Sequence, residues 1–159
     1  MKVFVTVGSM LPFDRLVCAM DAWAKEHSEA EVFAQVGETS LCPANMEYSA
    51  MISPSEYRDH FAACDVVVSH VGMGTIITAS EFCKPLVMLP RRAELKELTN
   101  NHQFETAKWL EGRPGIRIIY SDGELAEAIS KSIGSDGGSI VETGTRGKLI
   151  NTLRQFISN

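Results

Sequence analysis

From Ser69 to Glu81 the chain reads Ser-His-Val-Gly-Met-Gly-Thr-Ile-Ile-Thr-Ala-Ser-Glu. The β-branched run Asp65–Ser69 leads into this segment, as a strand buried on both faces requires. Gly72 and Gly74 break the run, and from Thr75 the pattern turns helical. A strand, a glycine turn and a fresh helix N-terminus together suit an anion. The amides of the first helical turn have no intrahelical acceptor, and the helix dipole favours negative charge beside them. Positions without side chains let a phosphate approach the main chain.

Three more clusters could contribute chemistry. Thr99-Asn-Asn-His-Gln-Phe104 gathers neutral, directional donors and acceptors where a loop meets a helix start, a composition suited to sugar hydroxyls. Helix capping would account for one of the asparagines but not for His102 and Gln103 as well. Gly8-Ser9, followed by Phe13-Asp14, closes the first strand; it is either a second place where amides meet a ligand or a plain turn. Arg91 and Arg92 follow the fifth strand. They offer forks that match diphosphate oxygens, or they form a solvated pair on a loop.

Other chemistries lack their residues. The dinucleotide fingerprint needs glycine where Ile77 stands, and no Gly-Lys-Ser/Thr closes a P-loop. There is no paired-aspartate motif at a strand end, no metal-ligand spacing among His27, His60, His70 and His102, and no Gly-x-Ser-x-Gly elbow. No metal and no cofactor are therefore expected. The first strand ends in Thr-Val-Gly rather than in carboxylates, which disfavours a receiver-like phosphoacceptor. A net charge of −5 argues against nucleic acid as a partner. No apolar run is long enough to span a membrane, and the N-terminus does not resemble a signal peptide, so a cytoplasmic location is expected. Cys18, Cys42, Cys64 and Cys83 form no CxxC pair; Cys18, Cys64 and Cys83 are read as small buried hydrophobes.

The elements that must position these residues alternate. Strands are expected at Lys2–Val7, Glu31–Val36, Met46–Ile52, Asp65–Ser69, Leu86–Leu89 and Ile116–Tyr120. Phe13, Leu16, Val17, Met20, Trp23 and Ala24 fall at helical spacing. Ser53-Pro-Ser-Glu56 opens a helix to about Ala63. The helix after the glycine turn stops before Pro85. Asn100 or Asn101 caps a helix to about Leu110, and Ser121-Asp-Gly-Glu124 opens another. Beyond the glycine-rich break at 134–139, a last helix over about 143–159 carries Leu149, Ile150, Leu153, Phe156 and Ile157. The expected fold class is α/β: one domain over 1–159, a Rossmann-like parallel sheet with helices on both faces. Ligands of such sheets bind at the carboxyl ends of the strands.

Taken in order, VTVGS with Phe13-Asp14, SHVGMGT, KPLVMLPRR and NNHQ with Ala107 and Leu110 resemble the C-terminal domain of glycosyltransferase family 28. The resemblance covers about Lys2 to Leu125. It implies the C-terminal-type, donor-binding half of a GT-B fold. It extends to stand-alone subunits: the catalytic subunit of the split dolichol-pathway N-acetylglucosaminyl transferase and the E-type subunits of bacterial exopolysaccharide transferases. By that likeness Gly72, Met73, Gly74 and Thr75 meet the donor diphosphate; His70, Arg91 and Arg92 are, from their own chemistry, further candidate diphosphate or partner contacts. Asn101, His102 and Gln103 face the donor sugar, and Gly8 and Ser9 shape the cleft. The family commonly places a ribose-binding carboxylate where this chain has Thr78, and Glu81, one helical turn on, is the substitute candidate.

The resemblance further implies a UDP-sugar as donor substrate and an inverting, metal-independent transfer. The acceptor half is not in this sequence, and a cleft with one wall cannot orient two substrates. A membrane-associated acceptor-binding subunit is therefore expected to supply the general base and present a lipid-linked sugar acceptor. It would hold the chain at the cytoplasmic face of the membrane, with the segment at 143–159 as a candidate dock. The alternative is a nucleotide-binding regulatory or interaction module without catalysis.

Overall fold

The computed structural model describes residues 1–135. The helix expected over about 143–159 lies outside the described residues. Six strands, β1 (Lys2–Thr6), β2 (Glu31–Gln35), β3 (Glu47–Ser49), β4 (Val66–His70), β5 (Leu86–Leu89) and β6 (Ile116–Ile118), alternate with five helices. These are α1 (Asp14–Glu26), α2 (Pro54–Ala63), α3 (Met73–Glu81), α4 (His102–Leu110) and α5 (Leu125–Ser132). All strand pairs are parallel, in the order β3-β2-β1-β4-β5-β6. The expected Rossmann-like sheet is present.

Strand alternation divides the core. Val3 and Val5, with Val66, Val68, Val87 and Leu89, pack against Leu16, Val17 and Met20 of α1 and Ala128 and Ile129 of α5. Phe4, Val67, Leu86 and Met88 face the other way, against Phe61 of α2, Ile76 and Ala79 of α3, and Ala107 and Leu110 of α4. Central strands buried on both faces need apolar residues at every position, which explains the unbroken Val66-Val-Val68.

The sheet reverses its strand order between β1 and β4. Their register, Val3 with Val66 through Thr6 with Ser69, brings the two strand ends level. The chain therefore leaves both strands side by side, at the topological switch point where such sheets open a crevice.

The structure moves several boundaries. β3 covers only Glu47–Ser49, because it pairs along one edge with β2 alone. β6 ends at Ile118, and a 3-10 turn at Asp122–Glu124 precedes α5. α3 begins at Met73, two residues before the expected start, so Gly74 lies inside its first turn. The capping box at Ser53 forms as expected, with Glu56 N donating to Ser53 Oγ (3.2 Å) and Ser53 N donating to Glu56 Oε2 (2.8 Å). Of the cysteines read as buried, only Cys64 is; Cys18 and Cys83 are exposed. Cys18 lies on the outward face of α1, between the inward-facing Val17 and Met20. Cys83 sits in the tight turn that closes α3, with φ of 52°. Among the described residues no helix is long and apolar enough to cross a membrane.

Candidate functional site

A cavity of about 610 Å³ opens at the carboxyl ends of β1, β2 and β4. Gly8 and Ser9 line it from the first loop, His70 and Gly72–Thr75 from the glycine turn, Thr78 from α3 and Arg91 from the end of β5. None of its lining residues is an aspartate or glutamate, although the chain carries 20 of them.

The floor is built on the glycine turn. Gly72 is the N-cap of α3, and no side chain caps this helix end. The first intrahelical hydrogen bond runs from Ile76 N to Gly72 O (3.2 Å). The amides of Met73, Gly74 and Thr75 precede it and so have no helical acceptor. A Cβ on Gly74 would meet nothing within 4 Å, so the space over that turn is open.

His70 explains two of the other glycines. A Cβ on Gly72 would lie 2.2 Å from its Nε2, and one on Gly8 would lie 2.7 Å from its Cε1. The imidazole therefore fills the gap between the two loops, and Gly8 (φ 80°) also adopts a backbone conformation that other residues disfavour. Nδ1 of His70 is buried without a partner. Burial, and then the charge of Arg91, pushes this histidine down to about 4. It is neutral at physiological pH. In the unfolded chain it titrates near its ordinary 6.5. As pH falls from 6.5 toward 4, the unfolded state takes up a proton that the folded state refuses, and stability drops. The full loss is about 3 kcal/mol. The His70 ring carbons should show no NMR titration between pH 8 and 6, where an ordinary histidine titrates, and His70→Gln should flatten the acid limb of a urea stability–pH curve.

Tyr57 and Gln35 complete the wall; sequence reading missed both. Tyr57 OH lies 3.2 Å from Thr75 Oγ1, tying α2 to the turn. Thr6 Oγ1 donates to Gln35 Oε1 (2.9 Å), below Gly8, whose amide donates to Thr6 Oγ1 (3.2 Å). A polar residue closing an apolar strand was the available signal for Gln35; nothing local marked Tyr57. Met10, Met51 and Met73 also line the cavity.

The remaining candidates divide. Thr78 reaches the cavity, with its hydroxyl donating to Gly74 O (3.0 Å). Glu81 does not line it and pairs with Arg58 (2.9 Å). Asn101, His102 and Gln103 are also outside the lining. Gln103 is buried, and its Oε1 accepts from Arg91 N (3.0 Å). Asn101 Oδ1 accepts from Ala93 N (3.0 Å), and Asn100 Oδ1, not Asn101, accepts the His102 amide (3.2 Å). These polar groups fasten the loop after β5 to α4. His102 is exposed.

Arg91 and Arg92 are not a solvated pair. Arg91 is 3% exposed, and its Nη2 donates to Val7 O (2.9 Å) and Leu11 O (2.6 Å). Arg92 Nη2 donates to Tyr120 O, away from the cavity lining. Among the described residues no cluster of three or more His, Cys, Asp or Glu side chains could hold a metal ion. A second cavity, of about 660 Å³, opens at the opposite, amino-terminal edge of the sheet. There His60 stacks on Phe33 with ring centroids 3.9 Å apart. It contains neither a helix N-terminus nor an arginine.

The glycosyltransferase family 28 C-terminal domain matches residues 2–134. The chain belongs to this family. The human UDP-N-acetylglucosamine transferase subunit ALG13 is 29% identical over 157 residues, which cover 90% of this chain and 13% of that protein. The mouse subunit of the same name is 31% identical over 119 residues, 69% of this chain and 10% of that protein. The chain thus spans only a small part of the curated relatives it matches. Among solved structures, a solution structure of ALG13 superposes with a TM-score of 0.58 at 18% identity, covering 85% of this chain and 86% of that one. MurG of Acinetobacter baumannii gives 0.62 at 14% identity, covering 96% of this chain and 49% of that one. The kitacinnamycin glycotransferase gives 0.65 at 17% identity, covering 99% and 39%. At these identities the likeness is one of fold. This family 28 domain is the C-terminal-type half of a GT-B fold, as the sequence motifs implied.

Proposed function

We propose that this chain is the donor-binding subunit of an inverting, metal-independent glycosyltransferase that draws a sugar from a UDP-sugar. One observation carries the reading: three helix-start amides face a carboxylate-free cavity at the switch point of the sheet. A diphosphate seated there meets aligned N–H donors and the positive end of α3. Negative charge grows on the leaving diphosphate as the glycosidic bond breaks. Donors already fixed by the fold stabilise that charge without reorganising. The lining offers no aspartate or glutamate to hold a divalent cation, which supports a transfer in which amides do that work.

The relatives named as UDP-N-acetylglucosamine transferase subunits support uridine diphosphate as the donor's leaving group and a heteromeric enzyme. In this reading a membrane-associated second subunit binds a lipid-linked acceptor, provides the general base and keeps the chain at the cytoplasmic face of the membrane. The product belongs to exopolysaccharide or a related glycan.

A second reading is a nucleotide-binding regulatory module without catalysis. It is favoured by the engagement of the Asn101 and Gln103 side-chain oxygens with the backbone of the loop after β5, which leaves the amide oxygen of neither free for a sugar. A thermal-shift series decides the binding. UDP at a hundred times its dissociation constant should stabilise the chain by about 2.7 kcal/mol by mass action, while uridine does much less. Sugar transfer on mixing with the acceptor-binding subunit supports the first reading, and UDP binding with no transfer supports the second. An unmoved midpoint with every nucleotide overturns both.

A further inference from the structure

Arg91 is a buried cation without an acid of its own. None of the ion pairs among the described residues includes it. Glu97 attracts it from nearby, but that carboxylate is engaged elsewhere: Arg15 donates to it twice (2.8 and 2.9 Å) and Arg92 N once (2.8 Å). Arg91 Nε is sealed from solvent with no partner, and the residue lines the same cavity as the α3 N-terminus. His70, the other group there that takes up a proton to become a cation, offers no compensation. A charge kept out of water and unpaired is costly, and an anion entering this cavity relieves that cost.

The same guanidinium holds the first loop. Its Nη2 donates to Leu11 O (2.6 Å) and lies 3.5 Å from Pro12 O, and the group stacks over Phe13 at 5.1 Å from the ring centroid. Residues 9–12 make no other hydrogen bond among the described residues. Met10 at the loop's tip is 86% exposed. The loop and the cavity's charge therefore depend on one side chain.

We propose that Arg91 couples anion binding to the order of the Ser9–Pro12 loop. An incoming phosphoryl group supplies the counter-charge that the fold omits. The guanidinium then stays seated, and its bonds to the loop carbonyls open less often. By linkage the coupling is reciprocal, so whatever firms the loop also tightens the anion. The idea rests on the proposed diphosphate site and gives it a positioning residue outside the helix.

Inorganic pyrophosphate is the probe, and the readouts are its affinity and the NMR order parameters of the Met10 and Leu11 amides. In the wild type the order parameters should rise on saturation. Arg91→Met should weaken pyrophosphate about tenfold or more, the scale of one lost charge-assisted contact, and should abolish the rise. Arg91→Lys guards against simple unfolding: it keeps the charge but lacks the Nη2 atom from which every bond to the loop carbonyls comes. It should bind pyrophosphate more tightly than Arg91→Met does, because the charge is kept, with no rise at Met10 and Leu11. Equal affinity in wild type and Arg91→Met, an unchanged loop in saturated wild type, or no pyrophosphate binding at millimolar concentration would each overturn the inference. If pyrophosphate binds and orders the loop while UDP binds no more tightly, the coupling stands and the nucleotide reading fails.

Discussion

Gly74→Val should leave the fold intact and remove UDP binding. A Cβ at position 74 meets no atom within 4 Å, so the branched side chain enters open space rather than protein. The position lies in the first turn of α3, where valine is no worse a helix former than glycine. Stability should stay within about 0.5 kcal/mol of wild type. The open space, however, is where a phosphate must sit to reach the amides of residues 73–75. Hydrogen bonds to a charged group contribute about 1.5–3 kcal/mol each, and losing two weakens binding by about a hundredfold or more. Calorimetry with UDP and a urea melt on the same sample separate the two effects. Gly72→Ala is the contrasting variant. Its Cβ falls 2.2 Å from His70 Nε2, so it must displace the imidazole and should lower stability as well as binding.

Glu97→Ala should cause the largest loss of stability among polar substitutions around the site. Glu97 joins three parts of the molecule. Its carboxylate accepts from Arg15 of α1 and from the amide of Arg92 after β5, and Arg15 Nη1 reaches on to Asp122 ahead of α5 (2.9 Å). The Arg15 and Glu97 side chains are only 16% and 12% exposed. Removing one member of a largely buried pair leaves a desolvated charge behind, at a cost of about 3 kcal/mol. Urea denaturation should report that loss in the midpoint with an unchanged slope. Arg15→Met combined with Glu97→Met should recover part of it, because two apolar side chains of similar length leave no orphaned charge.

Much of this architecture was legible because burial imposes period. Val3 and Val5 against Phe4, and the continuous Val66–Val68, announce strands packed on both faces. The inward set of α1 places Cys18 outside the core, so its position on the helix outweighs the tendency of cysteine to be buried. Strand order was less legible. Alternating β and α elements imply parallel pairing, but nothing local says that β1 lies between β2 and β4, and that adjacency creates the cavity.

The site divides the same way. Gly72–Thr75 could be read from sequence because strand, glycine and helix are contiguous. The packing of Gly8 against His70 could not, since it joins loops that are neighbours only in the folded sheet. Asn101 and Gln103 were read by their chemistry as sugar ligands, yet their acceptor oxygens serve Ala93 N and Arg91 N. Such partners arise only when the loop after β5 folds back on α4. For Arg91 the sequence leaves open a diphosphate fork or a solvated pair; the burial that excludes the second depends on the carbonyls of a loop some eighty residues earlier.

The most direct test is a proton–nitrogen correlation spectrum of the labelled chain titrated with UDP. The account predicts that the largest saturable shifts fall on the amides of Met73, Gly74 and Thr75, with smaller ones at Gly8 and Ser9. Shifts confined to Lys2, Phe33 and His60 around the amino-edge cavity, or none at saturating UDP, would contradict it.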